Sequence, residues 1–168
     1  MSIIERAGLI IDIIEYLTIA TVCSDGTPWN SPVYAAFDDN LNFYWKSWVE
    51  NQHSKNILTC PDVFLVIYDS RARCMEGEGV YMKARARPLM PEDEEEIKHG
   101  YELLKRRAGN ASSEYTDFLD GNPRRIYKAV PSRAWMNDGS SKNGDFIDVR
   151  KEIDLNHLKQ GVRYSSTN

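Results

Sequence analysis

Hydrogen-bond donors gather in the stretch FYWKSWVENQHSKNI, residues 43–57, where a strand-like aromatic run gives way to a helix-like pattern. The donors are Ser47, His53, Ser54 and Lys55. The start of a helix offers free backbone N–H groups and the positive end of the helix dipole. Serine hydroxyls add directed donors and lysine adds a point charge. Together these groups have the chemistry that binds a phosphate dianion.

Two registers of the helix are compatible with the residues. If Ser54 is the N-cap, Lys55 and the first amides of the helix face the anion. If Ser47 is the N-cap, Glu50 can close a capping box on it, and the serine only stabilises the helix. The residues alone leave both interpretations open.

Aromatic residues are concentrated around this stretch, and most side chains of this kind belong to a core or an interface. An aromatic-walled slot beside a phosphate site would suit a flat ring with a phosphorylated tail, and it would also suit single-stranded nucleic acid. The net charge of −4 argues against nucleic acid. The aromatic residues concerned are Trp29, Tyr34, Phe37, Phe43, Tyr44, Trp45 and Trp48.

The chain of 168 residues is expected to form one domain, residues 1–168. Its three cysteines lack CxxC spacing, and His99 and His157 lack ligand spacing, so no metal site or disulfide framework is predicted. No run approaches the ~18 apolar residues of a membrane helix, and no signal peptide precedes the domain. We therefore expect a cytoplasmic protein that binds neither membranes nor nucleic acid.

The hydrophobic periodicity predicts sequential short strands with helices around them. An N-terminal helix over residues 1–16 starts with a possible capping box between Ser2 and Glu5. Pro32 lies inside the second strand, which predicts an edge strand or a bulge there. Gly109 is the expected C-cap of the longest helix. The predicted strands cover residues 18–23, 29–37, 41–46, 62–69, 80–90 and 124–138, with a possible small strand at 145–149; further helices are predicted up to about residue 60, at 90–109 and at 113–122; and residues from about 155 to 168 are expected to form a weakly ordered tail.

This order of elements predicts the α+β class, with an antiparallel barrel and peripheral helices. The ordered motifs ATVCSDGTPWNSPV, FYWKS, HSKNI and VYMKARA, within residues 17–136, are more specific. They resemble the FMN-binding split-barrel superfamily of pyridoxamine 5′-phosphate oxidase. The resemblance implies a six-stranded, Greek-key-like split β-barrel that binds FMN between the two subunits of a homodimer.

The resemblance also implies where FMN would be held. Its phosphate would lie where the third strand meets the following helix, and its isoalloxazine ring would lie over the second strand. Trp45 would be a neighbour of the ring, and residues 80–83 and Trp135 would reach it from the partner subunit. The implied cofactor-binding residues are Asn30, Ser31, Pro32, Val33, Tyr34, Trp45, Lys46, Ser47, His53, Ser54, Lys55 and Trp135.

The chain departs from pyridoxamine phosphate oxidases proper at two places. Ser31 and Ala36 stand where those enzymes carry arginine and lysine, and the C-terminal residues lack their arginine-rich substrate motif. Because the fold does not fix the function, the vitamin chemistry is not implied. The flavin ring itself carries electrons or hydride, which is consistent with the absence of an evident catalytic triad.

Three functions remain open from the sequence. The first is an FMN-dependent oxidoreductase that acts on an unidentified small molecule. The second is a module that binds or stores flavin without turnover. The third is a relative that uses haem or a deazaflavin cofactor.

Overall fold

The computed structural model of the protein describes residues 1–74, 76–109, 113–119, 121–142 and 145–162. Short 3₁₀ segments, Pro91–Asp93 and Tyr115–Phe118, flank the third helix. The helices are α1 (Ile3–Ile13), α2 (Gln52–Thr59), α3 (Glu94–Ala108) and α4 (Leu155–Gly161); the strands are β1 (Tyr16–Val22), β2 (Pro28–Phe37), β3 (Phe43–Trp48), β4 (Asp62–Tyr68), β5 (Gly79–Pro88), β6 (Arg124–Lys142) and β7 (Asp145–Ile153).

The strands form one antiparallel sheet in the order β3-β2-β1-β4-β5-β6-β7, and β3 also pairs with β6. That additional pairing closes β1 to β6 into a barrel, which confirms the predicted six-stranded antiparallel barrel of the α+β class. Three consecutive strands followed by a fourth beside the first is the Greek-key order. The sequence predicts only a small last strand at 145–149, whereas β7 extends to Ile153 because it pairs along β6 as far as Ala134.

Two apolar clusters hold the fold together. The larger fills the barrel and includes Trp45, Leu65 and Met82, all completely buried. The smaller lies outside the barrel, where α3 packs Ile97 and Tyr101 against the outward-facing residues of β3 and β6. Since burial of apolar surface is the main stabilising term of folding, α3 is fixed to one side of the barrel. The outward-facing aromatic residues of β4, β5 and β6, namely Phe64, Tyr81 and Trp135, stay partly exposed and define what we call the uncovered side.

Helix α1 begins as the sequence predicts. The Ser2 hydroxyl accepts from the Glu5 amide at 3.2 Å, and the Glu5 carboxylate accepts from the Ser2 amide at 2.7 Å. Gly109 ends α3, which confirms the predicted C-cap, and its φ of 74° lies in the left-handed region. No helix among the described residues is long and apolar enough to cross a membrane.

The end of the chain differs from the prediction of a weakly ordered tail from about residue 155. Residues 155–161 form α4, because the Asp154 carboxylate caps the amides of Asn156 and His157 at 2.9 Å. Leu158 is buried in the barrel cluster together with residues of α1. The predicted tail at residues 163–168 lies outside the described residues.

Strand β2 has a free edge over its first half. Residues 28–34 pair with β1 on one side, and β3 pairs only with residues 35–37. Pro32 therefore lies in the half of the strand that has one partner among the described strands, opposite Thr18. This confirms the edge-strand alternative, and the pairing of β1 with β2 runs without a bulge.

Candidate functional site

Helix α2 begins at neither of the serines considered from the sequence. Its N-cap is Asn51, whose extended backbone (φ −63°, ψ 146°) precedes the first helical residue, and no side chain caps the helix. Both registers, with Ser54 or Ser47 as the N-cap, are therefore wrong, as is the capping box with Glu50. The first helical amides, of Gln52, His53 and Ser54, have no acceptor within the helix.

The predicted donors Ser47, His53 and Ser54 do meet. The Ser47 hydroxyl, on β3, lies 2.8 Å from His53 Nε2. It also accepts from the Ser54 hydroxyl at 3.2 Å and from Asn51 Nδ2 at 2.9 Å. Ser47, His53 and Ser54 are all buried. Burial lowers the pKa of His53, so its imidazole is neutral at pH 7. We call Ser47, Asn51, His53 and Ser54 the donor cluster.

Strand β6 completes the donor cluster from a distant part of the chain. Tyr127 is buried close to Ser54. Burial raises the pKa of Tyr127, although the nearby Ser54 hydroxyl and the charge of Arg125 oppose the rise. Arg125 pairs with Ser47 across β3 and β6, but its guanidinium donates to backbone carbonyls of Leu119, Asn122 and Arg124. Arg125 therefore adds positive charge near the cluster while its hydrogen bonds hold the preceding loop.

A second polar contact fixes α2 to the barrel. The side-chain amide of Asn56 donates to the Thr21 hydroxyl at 2.9 Å, and both residues are buried. Gln52 Nε2 donates to Asn56 Oδ1 at 2.8 Å, which orients the amide. Ile57 packs into the barrel cluster from the same helix. The start of α2 thus has a fixed position relative to β1 and β3.

The two lysines of the predicted site lie apart from the donor cluster. Lys55 is exposed and its ammonium lies 2.8 Å from the Glu50 carboxylate. Lys46 points to the side of β3 opposite Ser47, 5.0 Å from the ring centroid of Tyr101. Burial, followed by the charge of Arg124, lowers the pKa of Lys46, against the effect of Asp117.

Trp45 does not lie where a bound ring could touch it. Its side chain is 0% exposed and stacks on Tyr127, with centroids 5.6 Å apart and an interplanar angle of 17°. The expectation that Trp45 borders the flavin ring is therefore not supported, because the barrel core surrounds the indole. Its Nε1 is buried without a hydrogen-bond partner among the described residues. Trp45 shares the inner face of β3 with Ser47, two residues further along.

Residues 30–34 of β2 and Trp135 of β6 differ in their exposure. Val33 belongs to the barrel cluster, and Tyr34 packs against the cluster under α3. Asn30 and Pro32 are exposed, Ser31 and Tyr34 are half-buried, and Val33 is buried. Trp135 is half-buried, stacks on Phe64 at 6.2 Å and is covered by the guanidinium of Arg133 at 4.8 Å.

Sequence reasoning missed three contributors, Asn51, Tyr127 and the Thr21–Asn56 pair. Asparagine is a common N-cap, so Asn51 could have been considered as a third candidate for the N-cap of α2. The HSKNI motif contains Asn56, but only the packing of α2 shows that its amide meets Thr21. Tyr127 carries no local signal, because the β3–β6 pairing alone brings it to Ser54.

Comparison with known proteins assigns the family. The profile of the pyridoxamine 5′-phosphate oxidase family matches residues 10–137, which cover most of the chain. The chain belongs to this family. No protein of curated function matches it.

Solved structures share the fold at low sequence identity. An FAD-binding protein from Mesorhizobium loti superposes with a TM-score of 0.59 at 14% identity, over 81% of this chain and 94% of that one. A heme-binding protein from Mycobacterium smegmatis gives 0.63 at 16%, over 95% and 61%. A structure described as F420 reductase gives 0.57 at 20%, over 76% and 94%. At these identities the likeness establishes the fold.

Proposed function

We propose that the protein binds FMN and acts as an oxidoreductase on a small molecule, with FMN at a homodimer interface. The observation that carries the proposal is the donor cluster at the uncapped start of α2, in which Ser47, His53 and Ser54 are buried. The first amides of α2 have no intrahelical acceptor, and the Ser54 hydroxyl in the first turn donates to the Ser47 hydroxyl at 3.2 Å. Membership of the pyridoxamine 5′-phosphate oxidase family and the structural likeness to an FAD-binding protein support a flavin as the ligand.

The residues present fit a phosphorylated flavin. Helix α2 has no side-chain cap, so its first amides lack an acceptor within the helix. Ser47, Ser54 and the first amides of α2 would hold the phosphate, and Lys55 would add charge at the exposed rim. The free edge of β2 at residues 28–34 offers backbone groups to the polar edge of a flavin ring.

When bound, FMN supplies electron or hydride transfer at its isoalloxazine ring. This chain's residues bind and orient the cofactor. Helix α2 is held against β1 by Asn56 and Thr21, so the donors at its start keep a fixed geometry. The neutral imidazole of His53 accepts or donates one hydrogen bond and carries no charge at pH 7.

The homodimer is proposed on the uncovered side of the barrel. Phe64, Tyr81 and Trp135 are partly exposed and form an aromatic layer across β4, β5 and β6. Tyr68 nearby is 46% exposed. Apolar patches of this kind on a protein surface mark interaction sites. Sedimentation equilibrium should give a dimer at micromolar concentration, Phe64→Glu should yield monomer, and the control Met90→Glu, beside α3, should stay dimeric. A monomeric native protein would contradict the shared site.

Pyridoxamine phosphate and pyridoxine phosphate are expected to be poor substrates. Ala36 is completely buried in the cluster under α3. The chain therefore has no cationic side chain at this position, where pyridoxamine phosphate oxidases proper would use one to hold FMN. Peroxide release with either compound, at the rate of a working enzyme, would contradict this expectation.

The decisive experiment is a titration of the purified protein with FMN and riboflavin. A charge-assisted contact contributes about 1.5–3 kcal/mol, so FMN should bind at least about tenfold more tightly than riboflavin. Equal affinities would contradict the assignment of the donor cluster to the phosphate. The absorption spectrum of the protein as purified distinguishes a flavin from haem or a deazaflavin. Anaerobic bleaching of bound FMN by NADH or NADPH distinguishes an oxidoreductase from a storage module.

A further inference from the structure

Three buried groups form a continuous chain of hydrogen bonds. The Ser54 hydroxyl donates to Ser47 at 3.2 Å, and the Ser47 hydroxyl lies 2.8 Å from His53 Nε2. Asn51 Nδ2 donates to the same Ser47 oxygen at 2.9 Å. The chain runs from Ser54 in α2 to Ser47 in β3 and returns to His53 in α2.

The direction of this chain follows from counting donors and acceptors. A serine hydroxyl has one hydrogen and two acceptor lone pairs. Ser47 accepts from Asn51 and from Ser54, which fills both lone pairs. Its one hydrogen has two possible acceptors, His53 Nε2 at 2.8 Å and the Trp48 carbonyl at 3.4 Å, and the shorter contact is the better bond. His53 therefore accepts at Nε2 and carries its own proton on Nδ1.

If the His53 ring took up a proton, no negative charge among the described groups packed around it would balance the added positive charge. From β6, Tyr127 is neutral and Arg125 is positive. At the start of α2, Lys55 and Glu50 are paired with each other in solvent. On the β1 side, Cys23 faces the amides of Gln52 and Asn56. Burial alone accounts for the lowered pKa of His53, so an added anion would be the charge that favours its protonation.

This arrangement withholds the serine hydroxyls from a ligand. While His53 is neutral, the hydrogens of Ser54 and Ser47 both point along the chain, toward Ser47 and His53. A proton on Nε2 turns His53 into the donor of the Ser47–His53 bond. Because the Ser47 oxygen accepts only two hydrogen bonds and keeps the one from Asn51, the Ser54 hydrogen must then turn away from Ser47. The hydrogens of Ser47 and Ser54 are then both free to rotate toward an acceptor at the start of α2.

We propose that binding of a phosphate dianion at the start of α2 is coupled to uptake of one proton from solvent by His53, which reverses the Ser47–His53 hydrogen bond and releases the Ser47 hydroxyl to the phosphate. The inference rests on the proposed function, because it assigns the dianion to FMN. His53 acts as a positioning residue, through Ser47. No covalent bond forms or breaks other than the N–H bond to the added proton.

The test is isothermal titration calorimetry of the whole protein with FMN in buffers of different ionisation enthalpy. At about pH 7.5 a phosphate monoester is already largely a dianion, so it takes up few protons itself. The slope of the measured enthalpy against the buffer's ionisation enthalpy gives the number of protons exchanged. We expect uptake of about one proton per FMN, since one imidazole changes state, and no uptake with riboflavin.

Two variants locate the proton. In His53→Gln the side-chain amide can donate permanently to Ser47, so FMN should bind without proton uptake. His99→Gln is the matched control, since His99 is exposed on α3, and it should retain the uptake of the native protein. If His53→Gln does not fold, the native protein and His99→Gln still decide the matter.

The outcomes separate the two proposals. FMN binding tighter than riboflavin binding, but with no proton exchange, would overturn the coupling and leave the proposed function standing. Proton uptake that persists in His53→Gln would overturn the role of His53. Equal affinity for FMN and riboflavin would overturn the proposed phosphate site and the coupling with it.

Discussion

The side-chain amide of Asn56 donates to the buried hydroxyl of Thr21 across 2.9 Å, and this contact ties α2 to β1. Thr21 lies one residue before the end of β1, and Asn56 lies in the middle of α2. Because both partners are buried, removing Asn56 leaves the Thr21 hydroxyl with only its longer bond, of 3.4 Å, to the Trp29 carbonyl. The position of α2, and of the donor cluster at its start, depends on this pair.

Asn56→Ala should therefore destabilise the protein by about 1–3 kcal/mol, the cost of an unsatisfied buried polar group. Denaturant unfolding of the apo protein measures the change. Leu58→Ala, at a 66% exposed position of the same helix, should stay within about 0.5 kcal/mol of the native protein. Thr21→Val combined with Asn56→Ala should cost less than the sum of the single changes, and strict additivity would mean that the two side chains do not interact.

Lys55→Ala should weaken FMN binding by about tenfold, the value of one charge-assisted contact. The loss should shrink at high salt, because exposed charges are screened. Glu50→Gln should act in the opposite direction, since the Glu50 carboxylate competes for the Lys55 ammonium at 2.8 Å. Fluorescence titration of FMN at two salt concentrations measures both effects. Lys98→Ala, on the exposed face of α3, is the control, and an equal loss there would contradict a local contact.

The stability of the apo protein should decrease as the pH falls below the ordinary histidine value of about 6.5. Burial lowers the pKa of His53 in the folded state. The unfolded chain therefore binds the proton first, so the stability is complete above the unfolded pKa and is lost as the pH falls toward the folded pKa. In His53→Gln this part of the pH dependence should disappear. Thermal melts of the native protein and His53→Gln between about pH 5 and 8 measure this difference. Parallel curves of melting temperature against pH for the two proteins would contradict the assignment of the effect to His53.

Gly100→Ala should destabilise the protein by about 1–3 kcal/mol through overpacking. A Cβ at this position would lie 2.7 Å from Tyr44 Cδ1 and 3.3 Å from Ile126 Cγ2. The Tyr44 ring cannot swing away freely, because its hydroxyl is bonded to Asp38 at 3.2 Å and to Glu96 at 3.4 Å.

Gly8→Ala is the matched control, since the nearest atom to its Cβ is at the ordinary distance of 3.4 Å. There the gain of about 1 kcal/mol in helix propensity should leave stability unchanged or higher. Melting temperatures compare the two variants, and similar values would contradict the packing argument.

Local signals in the sequence were enough to predict the elements that depend on neighbouring residues. The capping box of Ser2 with Glu5 and the C-cap at Gly109 are examples. The start of α2 was harder, because Ser47, Asn51 and Ser54 are all good N-cap residues, and only the backbone at Asn51 selects one. Helix α4 was missed because its apolar residues are few and its stability comes from contact with α1.

The candidate site could be predicted in part. Ser47, His53 and Ser54 meet because a single strand-to-helix connection brings them together, which a local pattern can show. Tyr127 joins them only through barrel closure, and no local signal points to it. Trp45 looked like its exposed neighbours Trp29 and Trp48, since an aromatic run does not show which strand face each ring occupies. Alternation along β3 places Trp45 inside.

The pairing of β3 with β6 has a consequence for the order of folding. Residues 43–48 must find residues 124–129, whereas β1, β2 and β3 are joined by short turns. Contacts between distant parts of a chain carry a larger entropic cost of loop closure and slow the folding reaction. Ser47 and Ser54 therefore gain Tyr127 as a neighbour only when β3 pairs with β6 and closes the barrel. A chain still emerging from the ribosome lacks this neighbour until β6 has been synthesised.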